Sequence, residues 1–106
     1  MLYVIRVAWY NRGVIRSFAD KDTENLFNRI RVKRFQSVED AGRRALLRLD
    51  AATSLDDLRA VPGNRLEKVP EFGADVYSIR ANDQYRVVFK WDAGYALEAR
   101  LTDHYR

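Results

Sequence analysis

The chain of 106 residues contains no cysteine, and its only histidine is His104. The lack of cysteine excludes disulfide bonds, zinc sites built from thiolates and a cysteine nucleophile. One histidine cannot build a metal site with several imidazole ligands, so we expect no metal ion and no other cofactor. A chain without disulfides fits the cytoplasm, and that is the compartment that we expect.

The sequence also lacks long hydrophobic runs, repeats and linkers. Its longest apolar stretch is far shorter than the roughly 20 residues that span a bilayer. Residues 1–10 are apolar, but they have no basic leader and no clear cleavage site, so we predict no signal peptide. We expect one compact domain without membrane contact, because 106 residues suffice for one domain and are too few for two.

Positive charge is what the chain has in excess. The formal net charge is +4 and the pI is about 9.6, which favours a polyanionic partner. Residues 1–50 hold 11 Lys and Arg against 6 Asp and Glu. The excess is concentrated in Arg29, Arg31, Lys33 and Arg34, which could bind RNA phosphates. A charge run is more often a solvated face, and an acidic protein partner is a third alternative.

Two helices are predicted in the first half of the chain. Asp20 or Asp22 can cap the first helix. The second begins at a motif that resembles a capping box, residues 37–40 (SVED), and runs to about Ala52, after which Ser54 can cap a further short turn. Apolar residues at helical spacing form the buried faces: Leu26, Phe27 and Ile30 on the first helix, and Val38, Ala41, Ala45, Leu49 and Ala52 on the second.

Alternating apolar and polar residues predict strands on both sides of the helices. The predicted strands are 14–18, 65–69, 76–81, 84–91 and 95–104. Asn82 and Asp83 form a tight hairpin turn between the third and fourth of them. Helices followed by an antiparallel meander predict an α+β fold, with two N-terminal helices packed on a small antiparallel sheet.

Ionisable residues gather at the end of the last strand. Asp103, His104 and Tyr105 stand there, and a neighbouring antiparallel strand could bring Arg86 close to them. RNA cleavage without a metal needs a base for the 2′-hydroxyl, a cation for the phosphate and an acid for the leaving oxygen, and His and Arg suit these tasks. Composition alone favours a plainer alternative, an exposed polar tail. Two further cations could reach a polyanion across the sheet: Arg65 and Lys68.

Six segments, in order along the chain, resemble one known family. They are residues 15–27 (IRSFADKDTENLF), 45–50 (ALLRLD), 55–59 (LDDLR), 62–67 (PGNRLE), 77–86 (YSIRANDQYR) and 102–106 (TDHYR). Together they resemble the HigB toxins of the RelE/ParE superfamily, and the likeness extends from about Val14 to Arg106. We therefore predict an N-terminal extension at 1–13 and a toxin domain at 14–106.

The resemblance implies a fold, an activity and partners. HigB toxins are small α+β domains that cut messages in the ribosomal A site without a metal ion, so the ribosome and mRNA are implied partners. A HigA-type antitoxin, a helix-turn-helix protein, neutralises them, and operator DNA is contacted only through the toxin–antitoxin complex. The implied fold has two N-terminal helices against an antiparallel sheet, which agrees with the fold predicted from periodicity.

The resemblance also assigns roles to residues. Arg86 matches the arginine of the family's Trp/Tyr-Arg-Ile-x-Phe strand, a phosphate contact. Asp103 matches the aspartate of the family's C-terminal Asp-Tyr-His, and His104 with Tyr105 occupies the other two positions in swapped order. These four form the implied catalytic set. The predicted RNA- and ribosome-binding set is Arg65, Lys68, Arg29, Arg31, Lys33 and Arg34.

Two departures from the family pattern keep alternatives open. Many members have a basic Lys-Gly-Asp-Arg-like loop before the hairpin, whereas residues 70–75 (PEFGAD) hold two acids and no base. Some members carry a histidine where Glu67 stands. We predict an mRNA interferase. The first alternative is a weakly active binding module that serves as antitoxin partner and operon co-repressor, and the second is a gyrase poison of the ParE type.

Overall fold

The computed structural model describes residues 13–104, so nearly all of the predicted extension, together with Tyr105, lies outside the described residues. The secondary structure of the described part confirms the α+β prediction. Its helices are α1 (Lys21–Phe27), α2 (Glu39–Asp50) and α3 (Leu55–Arg59), and its strands are β1 (Glu67–Lys68), β2 (Val76–Arg80), β3 (Arg86–Asp92) and β4 (Tyr95–Thr102). Short 3₁₀ turns occupy Lys33–Val38, Pro62–Asn64 and Pro70–Phe72.

Side-chain caps begin α1 and α3, as predicted. The Thr23 backbone N–H donates to Asp20 Oδ1 over 2.7 Å, and the Asp57 N–H donates to Ser54 Oγ over 3.1 Å. Each bond satisfies an N–H that the first turn of a helix leaves without a partner. Of the two caps that the sequence predicted for α1, Asp20 and Asp22, Asp20 is therefore the one that caps the helix.

The start of α2 and the end of α1 differ from the prediction. Ser37 lies inside the 3₁₀ turn Lys33–Val38 and caps nothing, because α2 begins after Val38 without a side-chain cap. The turn buries Phe35 and Val38 in the core, and this burial decides the path of the chain there. Since α1 ends at Phe27, Ile30 falls outside it and is 52% exposed, not buried as expected.

The four strands form an antiparallel meander in the order β1-β2-β3-β4. Parallel bridges from Ile15 to Ala96 and from Phe18 to Ala99 attach the predicted first strand to the free edge of β4. The hairpin turn is longer than predicted and extends from Ala81 to Tyr85. The Asn82 side-chain oxygen accepts from the N–H groups of Gln84 and Tyr85, a local bond that stabilises the turn.

The two faces of the sheet have different surroundings. On the inner face, alternate strand residues pack against α1 and α2 in the main core, including Ile79, Val87, Phe89 and Leu101. The outer face carries Arg86, Val88 and Lys90 of β3, with Val88 in a small second cluster beside Val69 and Val76. This alternation along β3 is the one predicted from the sequence. The core thus fixes which side chains of the sheet remain available for function.

Candidate functional site on the outer face of the sheet

The strand register brings the C-terminal residues next to Arg86. Arg86 of β3 pairs directly with Thr102, the last residue of β4, and with Arg80, the last residue of β2. Directly paired residues of antiparallel strands place their side chains on the same face. Asp103 and His104 directly follow Thr102, so they leave the sheet at the end where Arg86 lies.

The guanidinium of Arg86 is buried and already bonded. Its Nε donates to Ser78 Oγ over 2.7 Å, and its Nη2 donates to the carbonyl oxygens of Ser78, over 3.2 Å, and of Arg65. Its Nη1 lies 3.8 Å from Glu67 Oε1, and the side chain is about 6% exposed. These contacts stabilise a charge that would otherwise be costly to bury. The group therefore joins β2, β3 and the segment before β1.

The sequence predicted Arg86 as a phosphate contact and did not indicate this burial. The reason lies in the short strand β1, whose Glu67 pairs with Ser78 and so lies beside Arg86. Arg65, with a left-handed φ of +45°, lies two residues before Glu67 and offers its carbonyl oxygen. The sequence predicted β1 but not its register, so the acid next to Arg86 was missed.

The C-terminal residues that the structure describes are open to solvent. His104 Nε2 lies 3.3 Å from Asp103 Oδ1, and the two side chains are 92% and 46% exposed. The His104 backbone N–H donates to Thr102 Oγ1 over 2.9 Å, which bends the chain at the end of β4. An accessible imidazole beside a carboxylate can accept or donate a proton at a bound ligand.

The predicted RNA-binding cations lie in several places. Arg65 is exposed beside Arg86, whereas Lys68 pairs with Tyr77 and so projects to the face opposite Glu67. The basic run lies in the connection between α1 and α2, on the helical side of the molecule. Of its four cations, Arg34 is bound to Asp22 at 2.5 Å, while Arg29, Arg31 and Lys33 are exposed. The structure therefore does not gather these residues into one surface.

A cleft that the sequence did not indicate lies further along the outer face. Its volume is about 540 Å³, and its lining includes Phe72, Asp75, Lys90, Glu98 and Arg100. The Arg100 guanidinium lies 5.3 Å from the centre of the Phe72 ring, a cation–π contact. The lining holds two cations and two carboxylates around an aromatic ring, a combination that suits a ligand with both charge and a flat polar surface.

An irregularity in β4 shapes this cleft. The pairing of β3 with β4 shifts between Val88 and Lys90, and Glu98 adopts a φ of +54° there. Such a bulge redirects side chains, and a left-handed φ is uncommon outside glycine. Even alternation was predicted for 95–104, and no glycine at this position signals the bulge. In the sequence, the departure of the 70–75 loop from the family pattern was the feature that indicated a surface different from that of other family members here.

No helix within 13–104 is long and apolar enough to cross a bilayer. In the same stretch, no group of three or more His, Asp or Glu side chains is placed to hold a metal ion.

Comparison with known proteins agrees with this fold. A protein-family model described as "RelE-like toxin of type II toxin-antitoxin system HigB" matches residues 16–104. Toxin HigB-1 of Vibrio cholerae serotype O1 is 40% identical over 89 residues, which is 82% of this chain and 94% of that protein. An uncharacterized protein of Haemophilus influenzae is 39% identical over 49 residues, 46% of this chain and 48% of its own length.

These matches first define a class, the RelE-like toxins of type II toxin–antitoxin systems, whose members have an antitoxin as partner. Within that class, the chain belongs to the HigB-like toxin family, which confirms the resemblance found in the sequence. The matched region begins at Arg16. The boundary at 13/14 between extension and toxin domain stays a prediction.

Proposed function

We propose that this HigB-like toxin is a ribosome-dependent mRNA endonuclease that needs no metal ion. The observation that supports the proposal is the pairing of the buried Arg86 with Thr102, because the exposed Asp103 and His104 directly follow Thr102 at that end of the sheet. A helix-turn-helix antitoxin of the HigA type neutralises it, and the complex of the two contacts operator DNA. The toxin acts in the cytoplasm, where translating ribosomes are.

The proposed reaction is an internal displacement at phosphorus. The 2′-hydroxyl loses its proton and attacks the adjacent phosphate, and the 5′-oxygen of the next nucleotide leaves with a proton. His104 serves these proton transfers, while Asp103, 3.3 Å away, orients its ring. Tyr105 follows directly and orients or donates. The proposed reaction needs no group other than these side chains, because proton transfer and stabilisation of the charge on the phosphate together lower the activation barrier.

Arg86 supplies positive charge to the phosphate in this proposal. Its bonds to Ser78, of 2.7 and 3.2 Å, are buried, whereas its Glu67 contact is 3.8 Å long and Glu67 is 53% exposed. A substrate phosphate can therefore replace Glu67 as the anionic partner and leave the Ser78 bonds in place. Arg65 is close to the same position and adds charge from the surface.

The cleft beside Phe72 would receive a neighbouring nucleotide. Arg100 pairs with Val88, two residues from the Arg86–Thr102 pair, a separation of about 7 Å along the strands. Aromatic and guanidinium planes stack on unpaired bases, and the carboxylates of Asp75 and Glu98 can accept from base amino groups. The outer face thus offers a reactive end and an adjoining base site.

The test is induction of the toxin gene alone and together with a candidate antitoxin gene, followed by mapping of message ends. The proposal predicts growth arrest with new 5′ ends inside translated codons, and both effects disappear when the antitoxin is expressed. Arrest with DNA breaks and intact messages would contradict it and favour a gyrase poison.

A second candidate is the weakly active binding module that serves as antitoxin partner and co-repressor. The occupied guanidinium of Arg86 and the acidic 70–75 loop favour it. The same induction experiment separates the two functions. Absence of arrest and of message cleavage, combined with tight antitoxin binding, would support the module and contradict the nuclease.

A further inference from the structure

A second concavity contains three arginines and no acid among the described residues that line it. It lies between α2, the turn Pro62–Asn64 and the end of β2, and its volume is about 290 Å³. Arg44 and Arg48 of α2, Arg80 of β2 and the buried Asn64 line it. We call it the arginine pocket. It shares no lining residue with the cleft beside Phe72.

Arg48 is held in the arginine pocket by neutral partners. Its Nε donates to Asn64 Oδ1 over 2.8 Å, and its Nη2 donates to the Arg80 carbonyl oxygen over 3.0 Å. Asn64 is itself fixed, because its Nδ2 donates to the Leu58 carbonyl oxygen over 3.1 Å. These bonds orient the guanidinium of Arg48 but leave its positive charge without a negative partner in the pocket.

A second arginine, Arg44, adds to this uncompensated charge. Arg44 lies one helical turn before Arg48, so the two charges are neighbours on the surface of α2. Burial and the charge of Arg44 together lower the pKa of Arg48 below its ordinary value. The guanidinium of Arg80 is instead paired with Asp83, which does not line the pocket. An anion bound beside Arg44 and Arg48 would relieve the repulsion between them.

We propose that the arginine pocket binds a phosphate group, a function beyond the chemistry of the outer face. Guanidinium groups present fixed forks of N–H donors that match phosphate oxygens, and they stay charged. Arg44 and Arg48 have no acid beside them in the pocket, and a phosphate offers a negative charge whose tetrahedrally arranged oxygens can accept from two guanidinium forks at once. The phosphate belongs either to an RNA backbone or to free inorganic phosphate, and both sources share the same chemistry.

The test is NMR titration of the full chain, observing arginine Nε–H and asparagine side-chain signals. Inorganic phosphate is added at constant ionic strength, and then a short single-stranded RNA whose 2′-hydroxyls are methylated so that it stays intact. We expect saturable shifts of the Arg44, Arg48 and Asn64 signals. The exposed Arg59 of α3, which is paired with Asp56 and does not line the pocket, serves as internal control and should not shift. Saturation at a lower concentration of RNA than of inorganic phosphate identifies a backbone phosphate as the ligand. Saturation at an equal or higher concentration of RNA identifies the free ion.

A matched pair of variants completes the test. Arg44→Gln should weaken phosphate binding at least tenfold, since it removes one of the two charges that have no acid in the pocket, from an exposed position and without disturbing the Arg48 bonds. Arg59→Gln should leave the affinity unchanged. Shifts that do not saturate, shifts as large at Arg59 as at Arg48, or undiminished affinity in Arg44→Gln would overturn the proposal. So would an acidic peptide that shifts these signals when phosphate does not.

Discussion

At the scale of single residues, Arg86 combines a structural and a proposed catalytic role. Its side chain donates to Ser78 and to the Arg65 carbonyl oxygen and lies near Glu67, so the segment before the hairpin depends on it. The sequence indicated the strand and the face of Arg86 correctly, because alternation along β3 is regular. It could not indicate the burial, which results from pairing between β1 and β2 at a distance along the chain.

Replacement of Arg86 should therefore lower both stability and activity. Arg86→Ala leaves Ser78 Oγ and the Arg65 carbonyl oxygen without their donor, and we expect the free energy of unfolding to fall by about 2–4 kcal/mol. Chemical denaturation measures this loss.

The half-exposed partner of Arg86 supplies the control. Glu67→Gln removes only a long, solvent-exposed contact, so it should change the free energy of unfolding by less than about 1 kcal/mol. It should leave message cleavage intact, since in the proposed mechanism Glu67 gives way to the substrate phosphate. If Arg86→Ala were as stable as the unmodified chain, the buried hydrogen bonds of Arg86 would contribute nothing to the free energy of unfolding.

Asp57 gives a residue-scale prediction about pH. Its pKa is lowered, chiefly because the Thr53 hydroxyl donates to its carboxylate and also because backbone N–H groups of Thr53 and Ser54 do so. A carboxyl with a lowered pKa in the folded state stabilises the fold above its ordinary pKa of about 3.9, and the benefit is lost as pH falls through the folded value. Asp57→Asn should therefore lower the melting temperature at pH 7 and have less effect near pH 3. Thermal denaturation at both pH values measures the difference. An effect that grows towards acid would contradict this cause.

At the scale of elements, two of the three predicted caps were correct, and features that depend on packing were not predicted. Asp20 and Ser54 begin α1 and α3 as predicted, because a cap is a contact within one turn. The motif at 37–40 failed because Phe35 and Val38 are buried by the sheet and helices, and this long-range packing outweighs a weak cap. The bulge at Glu98 was missed for the same reason, since it depends on how β4 pairs with two neighbours.

Substitution of two glycines separates the effect of helix propensity on stability from the effect of packing between elements. A Cβ on Gly42 of α2 would come within 2.6 Å of Leu101 Cδ2 and 3.1 Å of Leu26 Cδ2, and both leucines are fully buried. Overpacking should cost about 1–3 kcal/mol, which exceeds the roughly 1 kcal/mol that alanine gains in a helix. Gly42→Ala should therefore lower the melting temperature.

Gly63 is the matched control, because a Cβ there meets no atom within 4 Å. Gly63→Ala should leave stability unchanged or raise it by up to about 1 kcal/mol, through a smaller unfolded-state entropy. Both variants are compared by thermal denaturation under the same conditions. Equal melting temperatures for the two would show that α2 and β4 are not packed as closely as the structure has them.

At the scale of the whole molecule, the positive charge is distributed over separate surfaces. The basic run lies between α1 and α2, the arginine pocket lies beside α2, and the proposed reactive end lies on the outer face of the sheet. Net charge alone predicted a polyanionic partner but not this separation. A large ribonucleoprotein partner can contact all three surfaces at once, so the distribution is consistent with a ribosome-dependent activity.

The family was identified from the order of short segments along the chain, whereas the arrangement of the candidate site became apparent only in the three-dimensional structure. Six short segments in sequence identified a HigB-like toxin, and residues 16–104 match that family. The juxtaposition of Arg86 with Thr102 followed from correctly predicted strands. The acid beside Arg86, the cleft at Phe72 and the opposite direction of Lys68 all depend on register, which alternation alone does not specify.

Cleavage of a defined message by the purified toxin, with and without ribosomes, tests the central claim most directly. The account predicts cuts in ribosome-bound message, none in the same message alone, and a rate lower by about 10²–10⁴-fold in His104→Ala. Because His104 is 92% exposed, the variant should unfold at the same free energy as the unmodified chain. Intact ribosome-bound message, equal cleavage of naked RNA, or an unchanged rate in His104→Ala would contradict it.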